Sequence, residues 1–361
     1  MLWKLMEMYI ENPDRTDLRY GYTTGACATA ATKAALLMLL TGKVVNEVEI
    51  RLPVKKTAEF HVEHQTITKE YCSAAIKKDG GDDPDVTTGL YIYSRVELIG
   101  EPEIVIDGGE GIGTVTKEGL PIKPGHPAIN PVPLKMIRTT VNEIIEQFNL
   151  STGVKVIISA PGGCEIAKKT CNPKLGIMGG ISILGTRGIV IPFSDSSWKA
   201  SIVLGIRVAS KMGMDFLVFS TGGRSDTAVK QLFPELHGEQ FIEIGDFLGF
   251  SLKRAVDAGI KKIVVAGMPG KMSKLAGNNM DLHSSKSKVN FNFLASIAID
   301  CGYNNDIVTR IRNANTVLEV MEIIRDDPKF TEAIRKKCIE NINNYTENKL
   351  KSSVEIIKNE Y

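Results

Sequence analysis

The spacing of hydrophobic positions changes once along the chain, and its first part predicts a helix followed by short strands. Thr23 or Thr24 can cap a helix that runs through an alanine-rich stretch and stops at Gly42. A second helix is predicted at about 133–148. The β-like stretches between the two helices are residues 47–52, 57–62, 67–76, 91–99 and 103–107. Residues 1–150 are therefore interpreted as an α+β sheet domain.

Beyond residue 150 the apolar residues come in continuous runs, which are typical of strands buried on both faces. The predicted strands are residues 154–159, 188–191, 216–220, 241–244 and 262–266. Helical segments lie between several of them, and this alternation favours a Rossmann-like, mostly parallel α/β sheet over residues 151–313. Apolar positions at helical spacing after Asn315 predict a helical C-terminal segment, residues 314–361, that packs on or caps the sheet.

Glycine-rich loops follow four of these predicted strands. In an open parallel sheet the ligand crevice lies beyond the carboxyl ends of the strands, and glycine lets the backbone approach a ligand closely. The four loops are Ser159–Gly163, Thr221–Arg224, Gly245–Gly249 and Gly267–Lys271. We expect them to meet at one edge of the sheet and to form a ligand pocket there.

Composition and charge narrow the class of protein. The 361 residues carry 44 basic and 42 acidic side chains, a formal net charge of +2, without the basic stripe of a nucleic-acid-binding protein. The stretch 1–14 lacks the apolar core of a signal peptide, and the apolar run 34–40 is shorter than the ~20 residues that span a bilayer. The six cysteines form no C-x-x-C pair and suit a reducing cytosol. We expect a cytoplasmic enzyme that acts on a small molecule.

Common phosphate, metal and nucleophile motifs do not fit this sequence. The loop 109–113 is G-x-G-x-G followed by a strand, and Gly267–Lys271 is too short for a P-loop. The acidic cluster Asp82–Asp85 fits either a site for a hard cation or a solvated acidic turn. His283, in the polar loop Asp281–Lys286, is either a surface histidine or a proton-transfer group. The residues alone therefore indicate an α/β enzyme with a glycine-lined crevice.

Seven sequence blocks occur in order between residue 18 and about residue 285. They are LRYGYTTGACA (18–28), GGDDPDVTTG (80–89), GGEGIGTVTKEGL (108–120), PAINPVPLKMI (127–137), NPKLGIMGGISILGTRGIV (172–190), GDFLG (245–249) and AGMPGKMSKLA (266–276). Together they resemble the CbiD family, the C1-methyltransferases of anaerobic cobalamin biosynthesis, across both predicted domains. The resemblance implies methyl transfer from S-adenosylmethionine to C1 of cobalt-precorrin-5B, giving cobalt-precorrin-6A.

The same resemblance implies the partners and the chemistry. S-adenosylmethionine is the co-substrate, cobalt enters only as part of the corrinoid substrate, and no protein metal site, nucleic acid or membrane is needed; a homodimer is left open. Methyl transfer is an in-line displacement that depends on positioning, so no enzyme nucleophile is required. The substrate's many carboxylates favour scattered cations and amides. The substrate-binding candidates are Thr23, Thr24, Gly25, Arg187, Arg224, Lys271 and Lys274.

A second set of residues is assigned to the methyl donor. An acidic residue beyond a strand often holds ribose hydroxyls in nucleotide pockets, and Asp226 or Asp246 can take that part. The donor-binding candidates are Gly162, Gly163, Thr221, Gly222, Gly223, Asp226, Asp246 and Gly267. Asp82, Asp83 and His283 are the candidates for catalytic proton transfer or substrate contacts.

Two other functions use the same loops differently. A nucleotide-binding phosphoryl-transfer enzyme would use them as phosphate cradles, but the sequence lacks a Walker motif and a Lys–Mg²⁺ arrangement. A non-catalytic protein of a biosynthetic assembly would have little use for so many ligand-type glycine loops. The methyltransferase hypothesis is favoured over both.

Overall fold

A computed structural model of the protein describes residues 18–357, so the stretch considered above as a signal peptide lies outside the described residues. The chain forms two compact units, one ending at Asp195 and the other beginning at Ser196. Each unit has helices and strands around a hydrophobic core of its own. The protein is therefore of mixed α/β architecture.

The first unit contains short sheets and two long helices. Its helices are α1 (Thr24–Thr41), α2 (Pro131–Phe148) and the short α3 (Gly163–Ala167). Its strands are β1 (Gly21–Tyr22), β2 (Glu47–Arg51), β3 (Thr57–His61), β4 (Glu63–Ile67), β5 (Tyr71–Lys77), β6 (Tyr91–Ile99), β7 (Ile104–Gly108), β8 (Thr114–Val115), β9 (Gly153–Ser159), β10 (Ile177–Met178) and β11 (Ile189–Val190).

Helix α1 is the central helix of the first unit, and the structure confirms both of its predicted ends. The Thr23 hydroxyl accepts a hydrogen bond from the backbone N–H of Ala26 at 3.2 Å, and Gly42 closes the helix with a φ of +67°. The helix packs against β5, β6 and α2. By length and composition α1 could cross a membrane, but 72% of it is buried within the protein, as in the core helix of a soluble protein.

The main sheet of the first unit has the strand order β4-β5-β6-β9-β7. Strand β9 pairs antiparallel with β6 and parallel with β7, so it lies inside this sheet. Strand β11 pairs antiparallel with β1. The predicted change of domain near residue 150 therefore falls within the first unit, and two of the strands assigned to the parallel sheet belong elsewhere. An apolar run shows that a strand is buried, but it does not show which strand is its neighbour.

The second unit is built on a parallel sheet with the strand order β13-β12-β14-β15. Its strands are β12 (Phe216–Ser220), β13 (Phe241–Glu243), β14 (Lys262–Gly267) and β15 (Lys351–Ile356). Its helices are α4 (Asp195–Lys211), α5 (Gly223–Leu232), α6 (Leu248–Asp257), α7 (Pro269–Ala276), α8 (Phe291–Asp300), α9 (Asn305–Arg312), α10 (Val317–Ile323) and α11 (Pro328–Tyr345), with a 3₁₀ turn at Gly238–Gln240.

The sequence suggested a helical C-terminal segment over residues 314–361, but this segment also contains a strand. After α10 and α11 the chain enters β15, which pairs parallel with β14 along its whole length. Only Val354 of this strand is fully buried, because an edge strand needs little apolar surface. The pattern of β15 is therefore too weak to reveal a strand in the sequence.

Candidate functional site

Three glycine-rich loops meet at one edge of the parallel sheet in the second unit. Strands β12, β13 and β14 run in the same direction and are in register at their carboxyl ends. The loops that follow them, Thr221–Arg224, Gly245–Gly249 and Gly267–Lys271, therefore lie side by side. The fourth loop, Ser159–Gly163, follows β9 in the sheet of the first unit. Gly162 and Gly163 therefore do not share this edge, contrary to the sequence expectation.

Lys271 contacts residues of all three loops. Its ammonium group donates a hydrogen bond to the carbonyl oxygen of Thr221 and lies 3.0 Å from Oδ1 of Asp246. The ion pair is not aligned as a hydrogen bond, and Oδ1 of Asp246, although buried, accepts none from the described residues. This oxygen is thus occupied by the Lys271 charge, whereas the Asp246 side chain as a whole is 25% exposed, so the carboxylate keeps surface to which a ligand hydroxyl can donate a hydrogen bond.

The glycines of these loops play two different parts. At Gly222 and Gly223, where α5 begins, an added Cβ would meet no atom of the described chain within 4 Å. Their backbone therefore faces open space that a ligand can enter. At Gly267 a Cβ would lie 2.6 Å from the hydroxyl oxygen of the buried Thr221. Gly267 is therefore needed for the packing of one loop against the next.

Asp226 and Asp246, which the sequence cannot separate, differ in their contacts. Oδ1 of Asp226 accepts a hydrogen bond from the Ser220 hydroxyl at 3.2 Å, and its Oδ2 accepts one from the Lys230 ammonium group. The first contact holds helix α5 to the end of β12, and the second is an i,i+4 contact within α5. The Asp246 side chain is 25% exposed, against 12% for that of Asp226, so Asp246 is the stronger candidate for the donor ribose.

The loop that carries His283 is joined to the loop of Asp246. The backbone N–H of Leu282 donates to the carbonyl of Asp246 at 3.0 Å, and the Lys274 ammonium group donates to the carbonyl of Leu282 at 2.9 Å. Nδ1 of His283 accepts from the backbone N–H of Ser285 at 3.2 Å. The structure therefore brings Lys274 and His283 close to the glycine-loop edge, where Lys271 and Asp246 also lie.

The candidates at the start of helix α1 make structural contacts in the first unit. Thr23 caps the helix, as described above. The Thr24 hydroxyl donates to the carbonyl of Ser182 at 3.1 Å and accepts from the N–H of Leu184 at 2.9 Å. The N–H of Gly25 donates to the carbonyl of Leu184 at 2.9 Å. These residues fasten the helix to the segment 182–184, and a role in substrate binding stays a prediction.

The acidic cluster after β5 is also held by contacts within the first unit. Oδ2 of Asp82 accepts a hydrogen bond from the N–H of Arg19 at 2.7 Å, and Oδ1 of Asp83 accepts one from the N–H of Phe193 at 2.9 Å. In residues 18–357 no group of three or more His, Cys, Asp or Glu residues is placed to hold a metal ion. Of the two interpretations left open, these contacts fit the acidic turn.

One buried cation of the first unit was not singled out from the sequence. The side chain of Lys78 is only 1% exposed, and its Nζ lies 2.7 Å from Oδ2 of Asp85. The hydroxyl and N–H of Thr87 both donate to Oδ1 of Asp85. Burial raises the pKa of Asp85, but the charge and hydrogen bond of Lys78, with Thr87, outweigh it and hold this pKa below its usual value.

The two remaining candidates, Arg187 and Arg224, lie in different units. Arg187 precedes β11 in the first unit, and Arg224 is in the first turn of α5 in the second. Each makes at least one polar or electrostatic contact. Arg224 is thus the one of the two that stands at the glycine-loop edge.

Comparison with known proteins shows the family. A family model described as CbiD matches residues 11–192, and one described as CbiD, C-terminal domain, matches residues 281–361. The chain belongs to the CbiD family. The resemblance found in the sequence is thereby confirmed.

Relatives of this CbiD chain include proteins named cobalt-precorrin-5B C(1)-methyltransferase. The one from Picrophilus torridus is 52% identical over 312 residues, which cover 86% of this chain and 90% of the relative. The one from Geobacillus kaustophilus is 50% identical over 323 residues, 89% of this chain and 87% of the relative. A crystal structure of the cobalamin biosynthesis protein cbiD from Archaeoglobus fulgidus is 30% identical and covers 72% of this chain and 80% of its own, with a TM-score of 0.40.

The two matched ranges leave the glycine-loop edge of this CbiD chain between them. The loops at 221–224, 245–249 and 267–271 lie after residue 192 and before residue 281. The two family models therefore do not cover these loops.

Proposed function

We propose that the protein transfers a methyl group from S-adenosylmethionine to C1 of cobalt-precorrin-5B, giving cobalt-precorrin-6A. The relatives that carry this activity in their name are 42–52% identical over most of the chain. We also propose that the reaction takes place in the cytoplasm, since all six cysteines are free thiols, which persist in a reducing compartment.

The observation that carries the donor site is the junction at Lys271. Three loops meet there, and the carboxylate of Asp246, paired with the Lys271 ammonium group, belongs to a side chain that is 25% exposed. A carboxylate at the end of a parallel strand is a common acceptor for ribose hydroxyls. We therefore assign Asp246 to the ribose of the methyl donor, with the open backbone of Gly222 and Gly223 beside it.

The reaction requires this site to position the two reactants rather than to form a covalent bond with either of them. The methyl carbon forms a bond to C1 of the macrocycle as its bond to sulfur breaks, and the bonding electrons leave with the sulfur, which becomes a neutral thioether. Holding the two reactants in line supplies much of the rate. Lys274, Arg224 and Lys271 are cations from which the corrinoid's carboxylates can receive hydrogen bonds.

The contacts of His283 suit a hydrogen-bond donor better than a general base. Because its Nδ1 accepts a hydrogen bond from Ser285, the proton of the neutral ring is on Nε2. Nε2 can then donate to a substrate carboxylate, whereas it has no lone pair with which to remove a proton. We therefore propose substrate binding, rather than proton abstraction, for His283.

An anaerobic assay tests the function. The protein is incubated with methyl-labelled S-adenosylmethionine and cobalt-precorrin-5B, and the mass and label of the corrinoid are followed. We expect one methyl group to be transferred per corrinoid. Turnover of a nucleoside triphosphate in place of methyl transfer would favour a phosphoryl-transfer enzyme, and binding of the corrinoid without turnover would favour an assembly protein.

Replacing Asp246 by asparagine should weaken the binding of S-adenosylmethionine by about ten-fold or more, because a hydrogen bond to a charged group contributes roughly 1.5–3 kcal/mol. Titration calorimetry with S-adenosylhomocysteine measures the loss without turnover.

Asp226→Asn is the matched control, since it removes the same charge from the first turn of the neighbouring helix α5. It should lower the melting temperature, because it weakens the contact of α5 with Ser220 and the ion pair with Lys230 inside α5, and leave the affinity within about two-fold of the wild type. If Asp226→Asn lost affinity and Asp246→Asn did not, the assignment of the ribose would be reversed.

A further inference from the structure

Trp198, in the first turn of α4, is a large aromatic side chain that is both exposed and held in place. It is 46% exposed, yet its Nε1 donates a hydrogen bond to the carbonyl of Glu243 at 3.2 Å. The edge of the ring meets Phe247, with the ring centroids 6.4 Å apart at 68°. An indole fixed on two sides with much of its surface open to solvent presents an aromatic face that a planar ligand group can cover.

The indole lies against the loop that carries the proposed ribose acceptor. A Cβ added at Gly245 would be 3.1 Å from Cζ2 and 3.3 Å from Cε2 of Trp198, so the ring packs directly on the backbone of Gly245. Gly245 also has a φ of +56°, which favours glycine. The next residue is Asp246. The ring and the carboxylate are thus fixed to adjacent residues of one short loop.

The neighbouring aromatic ring is already covered by a cation. The Lys199 ammonium group lies 4.7 Å from the centroid of Phe247 and 5.9 Å from that of Phe250. Such a contact occupies the face of the phenyl ring through its quadrupole. Trp198 is therefore the aromatic residue beside Asp246 that keeps surface available for a planar ligand group.

We propose that Trp198 stacks on the purine of the methyl donor while Asp246 accepts the ribose hydroxyls. The inference rests on the proposed function, because it names the adenosine part of S-adenosylmethionine as the ligand. A purine is joined directly to its ribose, so a ribose held by Asp246 keeps the base within reach of a side chain packed on Gly245. Stacking on an aromatic ring needs only the flat face of the base.

Fluorescence tests the contact directly, because the chain has only two tryptophans, Trp3 and Trp198. In the variant Trp3→Phe all tryptophan emission comes from Trp198. We expect S-adenosylmethionine and adenosine both to quench this emission, and S-methylmethionine, which has the sulfonium but no purine, to leave it unchanged. If the donor binds by calorimetry while the emission of Trp198 stays constant, the inference is overturned. Quenching by S-methylmethionine would overturn it too, because the sulfonium would then be the group at the ring.

Two substitutions separate stacking from the integrity of the fold. Trp198→Ala should raise the Kd for S-adenosylmethionine about ten-fold, whereas Trp198→Phe, which keeps an aromatic face, should stay within about three-fold of the wild type. Wild-type affinity in Trp198→Ala, together with normal methyl transfer, would contradict the inference without affecting the proposed function. A wild-type protein that neither binds the donor nor methylates the corrinoid would instead refute the proposed function.

Discussion

Gly111→Ala is expected to cost more than about 4 kcal/mol of stability, enough to leave little of the first unit folded. Gly111 has a φ of +73°, and an alanine Cβ there would lie 1.9 Å from the carbonyl oxygen of Ala160. The position of a Cβ is fixed by the backbone and its neighbour here is a backbone carbonyl, so no side-chain rotation can relieve the clash. Urea denaturation monitored by circular dichroism measures the loss, if the variant can be purified at all.

Gly42→Ala is the control that separates the clash from the backbone conformation. Gly42 has nearly the same φ, +67°, but an added Cβ would meet no atom of the described chain within 4 Å. It should therefore cost only about 1 kcal/mol, the usual penalty for a left-handed non-glycine residue. Equal losses in the two variants would mean that the close approach at Gly111 contributes nothing.

The close approach of backbone to backbone at Gly111 explains why several segments of the first unit are rich in glycine. A Cβ at Gly163 would lie 2.3 Å from the carbonyl oxygen of Gly111, and one at Gly180 would lie 2.2 Å from it. The segments 108–113, 160–163 and 177–181 thus pack backbone against backbone. Their glycines are required by this packing, and G-x-G-x-G at 109–113 need not mean a bound nucleotide.

The local pattern of the sequence predicts elements better than it predicts their neighbours. The ends of α1, the limits of β6 at Tyr91–Ile99 and those of β12 at Phe216–Ser220 agree with the structure, because caps and runs of apolar residues are local features. The placement of β9 and β15 does not follow from such features. It depends on which strands pair, and pairing is decided by contacts far apart in the chain.

In the candidate site, too, the sequence predicts the local features but not the contacts between distant residues. That three loops meet at the carboxyl edge follows from the alternation of strands and helices. That Asp246 and not Asp226 keeps an oxygen without a hydrogen bond depends on Ser220 and Lys230, which the sequence does not mark as partners. Trp198 has no signal in the sequence either, since a single aromatic residue in a helical segment usually belongs to the core.

Lys78→Met is expected to lower the free energy of unfolding by about 3 kcal/mol at neutral pH, the lower end of the range for breaking a buried ion pair. The lower end applies because the Asp85 side chain remains 22% exposed, whereas that of Lys78 is 1% exposed. Methionine keeps the length and the apolar contacts of lysine, so the loss comes from a carboxylate left without its cation. Urea denaturation at pH 7 gives the number.

The double variant Lys78→Met/Asp85→Asn tests that explanation. The neutral amide has no charge to leave unpaired and can still accept the hydrogen bonds of Thr87, so part of the lost stability should return. If the double variant were less stable than Lys78→Met alone, lost packing and not the unpaired charge would be the cause of the defect.

The pH dependence gives a second, independent check on this pair. The pKa of Asp85 is lowered in the folded protein, so its contribution is present above the unfolded pKa of about 3.9 and is lost as the pH falls through the lower, folded value. Without Lys78 this pKa rises, because burial is no longer outweighed, and protonation then stabilises the variant. The difference in unfolding free energy between wild type and Lys78→Met should therefore shrink as the pH falls from 7 towards about 4. A difference that stayed constant over this range would show that the charge of Asp85 plays no part in it.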